Sequence, residues 1–314
     1  VGPRNRPPRV RSGRTSIWVI AAITLFVVAD VLLIWAAVQS ARTPPAPSGR
    51  DASPVDVQIE PSATPSPSAE PTVAPDYDVA RPVALIAAFD DTVAYRALAG
   101  ECPAAPPDLE VTTDAGATWA TASVTNASAI EAITPEDEDT VSVVAREGDG
   151  CEPALFRSFV QGIAWAAADG LDTRWRVEGA QVTAPGGAVV APCAAPVQVA
   201  ALSSSAAAVL CADAVVHSTI DGGAGWAASE PISGAAAIAA GNGGYLVAIE
   251  RQGDCAGVQV ATLDTVLTLG APGGCVASEA GPGQTGLTVS ADGSAVWLWS
   301  GGVVGRSFDG GQSW

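Results

Sequence analysis

The chain contains no lysine and no methionine, and it has one histidine, His217, in 314 residues. All 15 basic residues are arginine, set against 33 acids, for a net charge of −18. That balance excludes nucleic acid as a natural partner, because phosphate binding needs a basic surface. It also disfavours an anionic membrane surface. One histidine and no Cys-x-x-Cys pair leave zinc and dithiol redox centres without a ligand set, and the residues call for no cofactor. Tyrosine is scarce too. Only Tyr77, Tyr95 and Tyr245 are available as phenolic nucleophiles.

What is present divides by composition. Residues 1–16 form a basic tail with five Arg and no acid. Residues 17–38, IWVIAAITLFVVADVLLIWAAV, are an apolar run. At ~1.5 Å per residue this run reaches ~33 Å as a helix, the span of a bilayer. Trp18 and Trp35 stand near its ends, where interfacial aromatics belong, and the basic flank places the N-terminus in the cytoplasm. The run is longer than the apolar core of a cleaved signal peptide, so it reads as a transmembrane signal-anchor. Asp30, near its outer end, reads as an acid tolerated in a single-pass helix. Residues 39–76 are a Pro/Ser/Ala-rich stalk that cannot bury a core.

Residues 77–314 carry 27 acids and 8 Arg, a net charge of −19, and all six cysteines. An even cysteine count outside a membrane points to disulfides, with 15 connectivities open. One pattern recurs in this region. It reads TTDAGATW at Thr112–Trp119, TIDGGAGW at Thr219–Trp226 and SFDGGQSW at Ser307–Trp314. A fourth copy, SFVQGIAW at Ser158–Trp165, has Val160 in place of the Asp. The fixed positions are therefore Thr112, Asp114, Gly116 and Trp119; Ser158, Gly162 and Trp165; Thr219, Asp221, Gly223 and Trp226; and Ser307, Asp309, Gly311 and Trp314. The carboxylate closes a turn by accepting backbone N–H groups, the Gly supplies positive φ, and the Trp begins the next strand.

This pattern resembles the Asp-box, or bacterial neuraminidase repeat, of sialidases and related β-propellers. There the box joins the third and fourth strands of each blade. The resemblance implies an all-β propeller over Tyr77–Trp314. Aligning the boxes gives strand, turn, strand, turn, strand, box at a period near 45 residues, and about five blades. Six or seven are the alternatives, since residues 166–192 have room for part of another blade. A β-sandwich is the competing fold, but it leaves the regular position of the boxes unexplained. The last blade, ending on Trp314, is expected to borrow its outer strand from Tyr77–Pro82 or Val55–Ile59.

In that alignment Cys102, Cys151, Cys211 and Cys255 fall between second and third strands, while Cys193 and Cys275 precede first strands. All six then lie on the face away from the boxes, and the favoured pairing is Cys102–Cys151, Cys193–Cys211 and Cys255–Cys275. The same loops carry Glu101, Arg146, Glu152, Arg251 and Asp254, charged groups free of duty in the boxes. They form the candidate binding face, since varied loops on a rigid scaffold are where recognition sits.

Sialidases use an arginine triad, a Tyr nucleophile with a Glu partner, and an acidic proton donor. The Phe/Tyr-Arg-Ile-Pro signature of that family is absent, with Ala80-Arg81-Pro82 the nearest approach, and no triad can be matched. No catalytic residue is assigned. His217 reads as a structural strand residue, and the acidic run Glu136–Asp139 as a solvated turn rather than a Ca²⁺ loop. The chain also resembles, at the level of the boxes, the photosystem II stability and assembly factor family, whose propellers bind membrane proteins. The expectation is a membrane-anchored, extracytoplasmic, non-catalytic module for a protein or cell-envelope glycan. A divergent sialidase-like glycoside hydrolase is the alternative.

Overall fold

Short apolar runs between Gly- and Asp-rich turns fold as antiparallel strands in the computed structural model, which describes residues 78–314. The basic tail, the apolar span with Asp30, the stalk and Tyr77 lie outside the described residues. Among the described residues no helix is long and apolar enough to cross a membrane.

The strands form six sheets. Blade 1 holds β1 (Ala84–Ala88), β2 (Ala94–Leu98), β3 (Asp108–Thr112) and β4 (Ala120–Thr121). Blade 2 holds β5 (Ala127–Pro135), β6 (Val141–Glu147), β7 (Glu152–Ser158) and β8 (Ala166–Ala168). Blade 3 is small, with β9 (Arg176–Glu178), β10 (Gln181–Thr183) and β11 (Val189–Val190). Blade 4 holds β12 (Pro196–Ala201), β13 (Ala207–Cys211), β14 (Val216–Thr219) and β15 (Ala227–Ala228). Blade 5 holds β16 (Ala235–Gly241), β17 (Gly244–Glu250), β18 (Gly257–Asp264) and β19 (Val276–Ala277), and blade 6 holds β20 (Thr285–Val289), β21 (Val296–Ser300) and β22 (Val303–Ser307).

The innermost strands pack side by side around an axis: β1 with β5, β9 with β12, β12 with β16, β16 with β20, and β20 with β1. Second strands are sandwiched between neighbouring blades, so both their faces are buried. This is why β13 (AAVLC) and β17 (GYLVAIE) are apolar runs rather than alternating ones.

The blade count is six, one of the alternatives to the favoured five. Blade 3 is the surplus, built from strands of two or three residues inside 166–192. Its innermost strand, β9, runs opposite to the first strands of the other blades. β9 starts on the side of the first hairpins, where Trp175 Nε1 donates to Ser203 O at 3.0 Å, and ends where Gly179 O accepts from Arg81. Arg174 fills the gap toward β5, donating to Thr134 Oγ1 at 2.8 Å and to Glu136 at 3.3 Å.

Blade 6 has three strands among the described residues, and Asp78–Pro82, the described part of the expected closing segment, does not supply a fourth; the alternative, Val55–Ile59, lies outside the described residues. Instead Val79 N bonds Ala212 O at 2.9 Å, and Val79 packs between blades 4 and 5. Blade 6 is joined to blade 1 by backbone bonds, among them Ala291 N to Ala88 O at 2.9 Å, and by side chains. Trp297 Nε1 donates to Asp90 O at 3.0 Å and Arg306 to Asp91 O at 2.6 Å. The Arg96 guanidinium lies 4.2 Å from the Trp119 ring and 5.3 Å from the Trp299 ring, a cation–π clasp across the junction.

The repeat glycines take part in this assembly. Gly162 and Gly311 have φ of 83° and 92°. A Cβ at Gly162 would sit 2.7 Å from Ala122 Cβ of blade 1, and one at Gly311 2.9 Å from Val260 Cβ of blade 5. These turns therefore seat on the preceding blade through a position only glycine can fill.

Candidate functional site

Three surfaces can hold a ligand: the face carrying the repeat turns, the opposite face of crossover loops, and the axial channel between them. On the turn face, three of the four repeat turns are tied to the first hairpin of their own blade, by Ala115 N to Thr92 O, Gln161 N to Asp139 O, and Gly222 N to Ser205 O. Within the turns, Thr112 Oγ1 accepts Gly116 N at 2.9 Å and donates to Asp114 Oδ1 at 2.8 Å. Asp114 Oδ1 also accepts Thr118 N at 2.8 Å. Thr219, Asp221 and Gly225 repeat this geometry, as do Ser307, Asp309 and Ser313.

Hydrogen bonds from the Thr118 side chain and backbone hold the Asp114 carboxyl down to about 2, and Ser313 with Ser307 does the same for Asp309. Asp221 is lowered by the Gly225 N–H and by Thr219. These carboxylates are acceptors engaged in turn closure. In blade 2, where Val160 replaces the Asp, Ser158 Oγ alone accepts Val160 N at 3.2 Å and Gly162 N at 2.9 Å, and the turn still forms. Trp165 and Trp226 return their indole N–H to Gly162 O and Gly223 O at 2.9 and 3.1 Å.

On the crossover face lie three disulfides: Cys102–Cys151, Cys193–Cys211 and Cys255–Cys275. Cys102–Cys151 staples blade 1 to blade 2. Cys275 precedes β19, the outer strand of blade 5, rather than a first strand as the alignment had it. Of the candidate binding residues, Glu101, Glu152 and Asp254 are exposed. Two others have structural work that the alignment did not show. Arg146 pairs with Glu131 at 2.6 Å and donates to Cys151 O at 3.2 Å. Arg251 is exposed but anchors Ala280 O at 2.7 Å.

The channel encloses about 980 Å³ and is lined by residues of β1, β5, β9, β12, β16 and β20. Its charged lining residues are Arg81 and Glu101 beside β1 and β2, Glu131 of β5, and Arg174 and Arg176 of blade 3. Arg174 and Arg157 share Glu136, which also accepts from Ser142, so the first residue of the exposed acidic run is an ion-pair partner as well. Arg176 pairs with Glu178 at 2.8 Å. Burial pushes the Glu178 carboxyl up, but Thr183 and Arg176 outweigh it and leave it below the ordinary range. Tyr95 and Tyr245 are core residues. Burial, reinforced for Tyr95 by Asp139 and Asp137, pushes both phenols up to about 12. His217 lies with the Cys193 and Cys211 sulfurs inside 4.8 Å. Those sulfurs are bonded to each other, so the trio is an imidazole beside a disulfide. Burial lowers the His217 pKa against the pull of Asp213.

Sequence reasoning missed the channel arginines, which carry no motif. It also missed the outward side chain of each repeat turn. The signal was present as Phe159, Ile220 and Phe308, apolar residues at a position the turn itself leaves free.

Sheet topology, closed circle and axial channel together define a six-bladed, disulfide-bonded β-propeller. No protein-family model matches this chain, and no curated protein sequence matches it. Among solved structures it is similar to YCF48 bound to D1 peptide, at 17% identity over 73% of this chain and 66% of that one, with a TM-score of 0.27. It is similar to the GH74 xyloglucanase from Xanthomonas campestris at 15% identity over 73% of this chain, spanning only 37% of the enzyme, with a TM-score of 0.30. A putative 6-phosphogluconolactonase from Bacteroides fragilis gives 13% identity over 73% of this chain and 83% of that one, at a TM-score of 0.38.

Proposed function

We propose that this protein is a membrane-anchored, extracytoplasmic β-propeller of Asp-box turns that binds a protein or cell-envelope glycan without catalysis. The observation that carries the reading is the state of the groups a glycoside hydrolase needs. Such an enzyme requires a carboxylic acid kept protonated by its surroundings and a reachable nucleophile. Here Glu131, Glu136 and Glu178 each face an arginine, and Tyr95 and Tyr245 are 0% and 4% exposed. The location rests on residues 17–38 and their basic flank, and the joining of all six cysteines in disulfides supports an oxidising compartment.

Protease added to intact cells is expected to remove the propeller and leave a small membrane-bound stub. Protection of the whole chain would overturn the topology. Hydrolysis of a sialoside or other glycoside by the purified protein would put the enzyme reading in its place.

A further inference from the structure

The five most exposed large apolar side chains among the described residues are Ile163 (85%), Ile220 (80%), Val266 (78%), Phe159 (65%) and Phe308 (65%). Four stand in turns between third and fourth strands and Phe308 directly follows the third strand of blade 6, so all five share the turn face across blades 2, 4, 5 and 6. Three of them occupy one position of the repeat, the residue between the buried Ser or Thr and the closing residue. The turn's hydrogen bonds run through Ser158, Thr219 and Ser307 and leave that residue pointing outward. Turn closure makes no demand for Phe or Ile there, and blade 1 has Thr113 instead. Isolated exposed apolar residues are ordinary, whereas a set confined to one face marks an interaction surface.

Acids outnumber arginines on this face. Its hairpins present Asp91, Glu138, Asp139, Asp264 and Asp292 between the apolar positions. Arg157 and Arg174 pair with Glu136, and Arg306, held by Asp91 O, lies 5.8 Å from the Phe308 ring centroid. A cleft of about 340 Å³ opens beside Phe308 between blades 5 and 6, lined by Asn242, Tyr245, Asp264 and Val289. It offers an apolar floor with a carboxylate at the rim, a receptor for a long basic side chain.

We propose that the turn face is a docking surface for a basic amphipathic protein segment, its apolar side set on Phe159, Ile220 and Phe308 and its cations among the hairpin carboxylates. This rests on the binding-module reading and adds the face and the chemistry of the partner. The acids argue for a cationic polypeptide over an anionic lipid surface.

The test uses the full chain in phosphatidylcholine nanodiscs. The probe is a fluorescent helical peptide with one leucine face and one lysine face, and binding is read by anisotropy against empty nanodiscs. Phe159→Ser/Ile220→Ser/Phe308→Ser is expected to weaken binding at least about tenfold, the loss typical of central anchors. The unfolding temperature should hold, since all three side chains are exposed. Exchanging the peptide's lysines for glutamine should weaken binding as well, as should raising salt. Benzoylphenylalanine in place of Ile220 should crosslink to the peptide. If the triple variant binds like wild type while Glu101→Lys/Glu152→Lys/Asp254→Lys does not, the turn face is wrong and the binding-module reading stands. A crosslink from position 220 to lipid alone would reassign the face to the membrane. Absence of peptide binding to the wild-type chain would overturn the proposed partner chemistry.

Discussion

Gly310 and Gly311 are adjacent in one turn, both with positive φ (74° and 92°), and they separate two costs that are usually confounded. A Cβ at Gly310 meets nothing within 4 Å, whereas one at Gly311 lies 2.9 Å from Val260 Cβ and 3.0 Å from Val260 Cγ1. Gly310→Ala therefore costs only the left-handed backbone, about 1 kcal/mol. The repeat already tolerates this, since Ala115 and Gln161 hold the same position at φ 65° and 54°. Gly311→Ala carries a similar backbone cost plus overpacking against Val260, which is fully buried between blades and cannot yield. Overpacking adds ~1–3 kcal/mol, so the total is about 3 kcal/mol. Denaturant unfolding followed by tryptophan fluorescence would read the difference. For a domain of this size the difference of about 2 kcal/mol corresponds to a melting temperature roughly 4–8 °C lower for Gly311→Ala than for Gly310→Ala. Val260→Ala in the Gly311→Ala background should recover part of the loss as a positive coupling. Equal midpoints for the two single variants, or no coupling with Val260, would refute the claim that this turn is seated on the neighbouring blade.

The pH dependence follows from the turn carboxyls. Asp114 and Asp309 titrate at about 2 in the fold against 3.8 ordinarily, so their contribution is present above pH ~4 and is lost as pH falls through about 2. Asp114→Asn/Asp309→Asn should flatten the melting temperature over that interval, and an unchanged slope would remove the turn role. Cys102→Ala/Cys151→Ala opens a 49-residue loop between blades 1 and 2 and should cost about 4 kcal/mol in the chain-entropy view. Cys193→Ala/Cys211→Ala opens only 18 residues and should cost about 3 kcal/mol, an order that paired denaturation curves would check. Arg96→Leu removes both the Glu110 pair and the Trp119–Trp299 clasp. It should lower the midpoint more than Glu110→Gln, which breaks the pair alone.

The repeat turns were legible because their chemistry is local. A hydroxyl, a carboxylate, a glycine and a tryptophan within eight residues close one turn whatever surrounds them, and Ser158–Trp165 shows the turn surviving without the carboxylate. The strands of the large blades were legible for a similar reason, as runs such as YLVAI that only burial on both faces explains. Blade 3 was not legible. Its strands of two or three residues have no periodicity, and they are strands only because Val182 packs with Ala207 and Val209 of blade 4. The duties of Arg146, Arg174 and Arg251 were hidden too, since their partners Glu131, Thr134 and Ala280 are 15, 40 and 29 residues away. The outward Phe159, Ile220 and Phe308 were visible as letters. Only closing the six blades into a ring put them on one face, because a repeat spaced along a chain becomes a surface only when tertiary packing bends that chain into a circle.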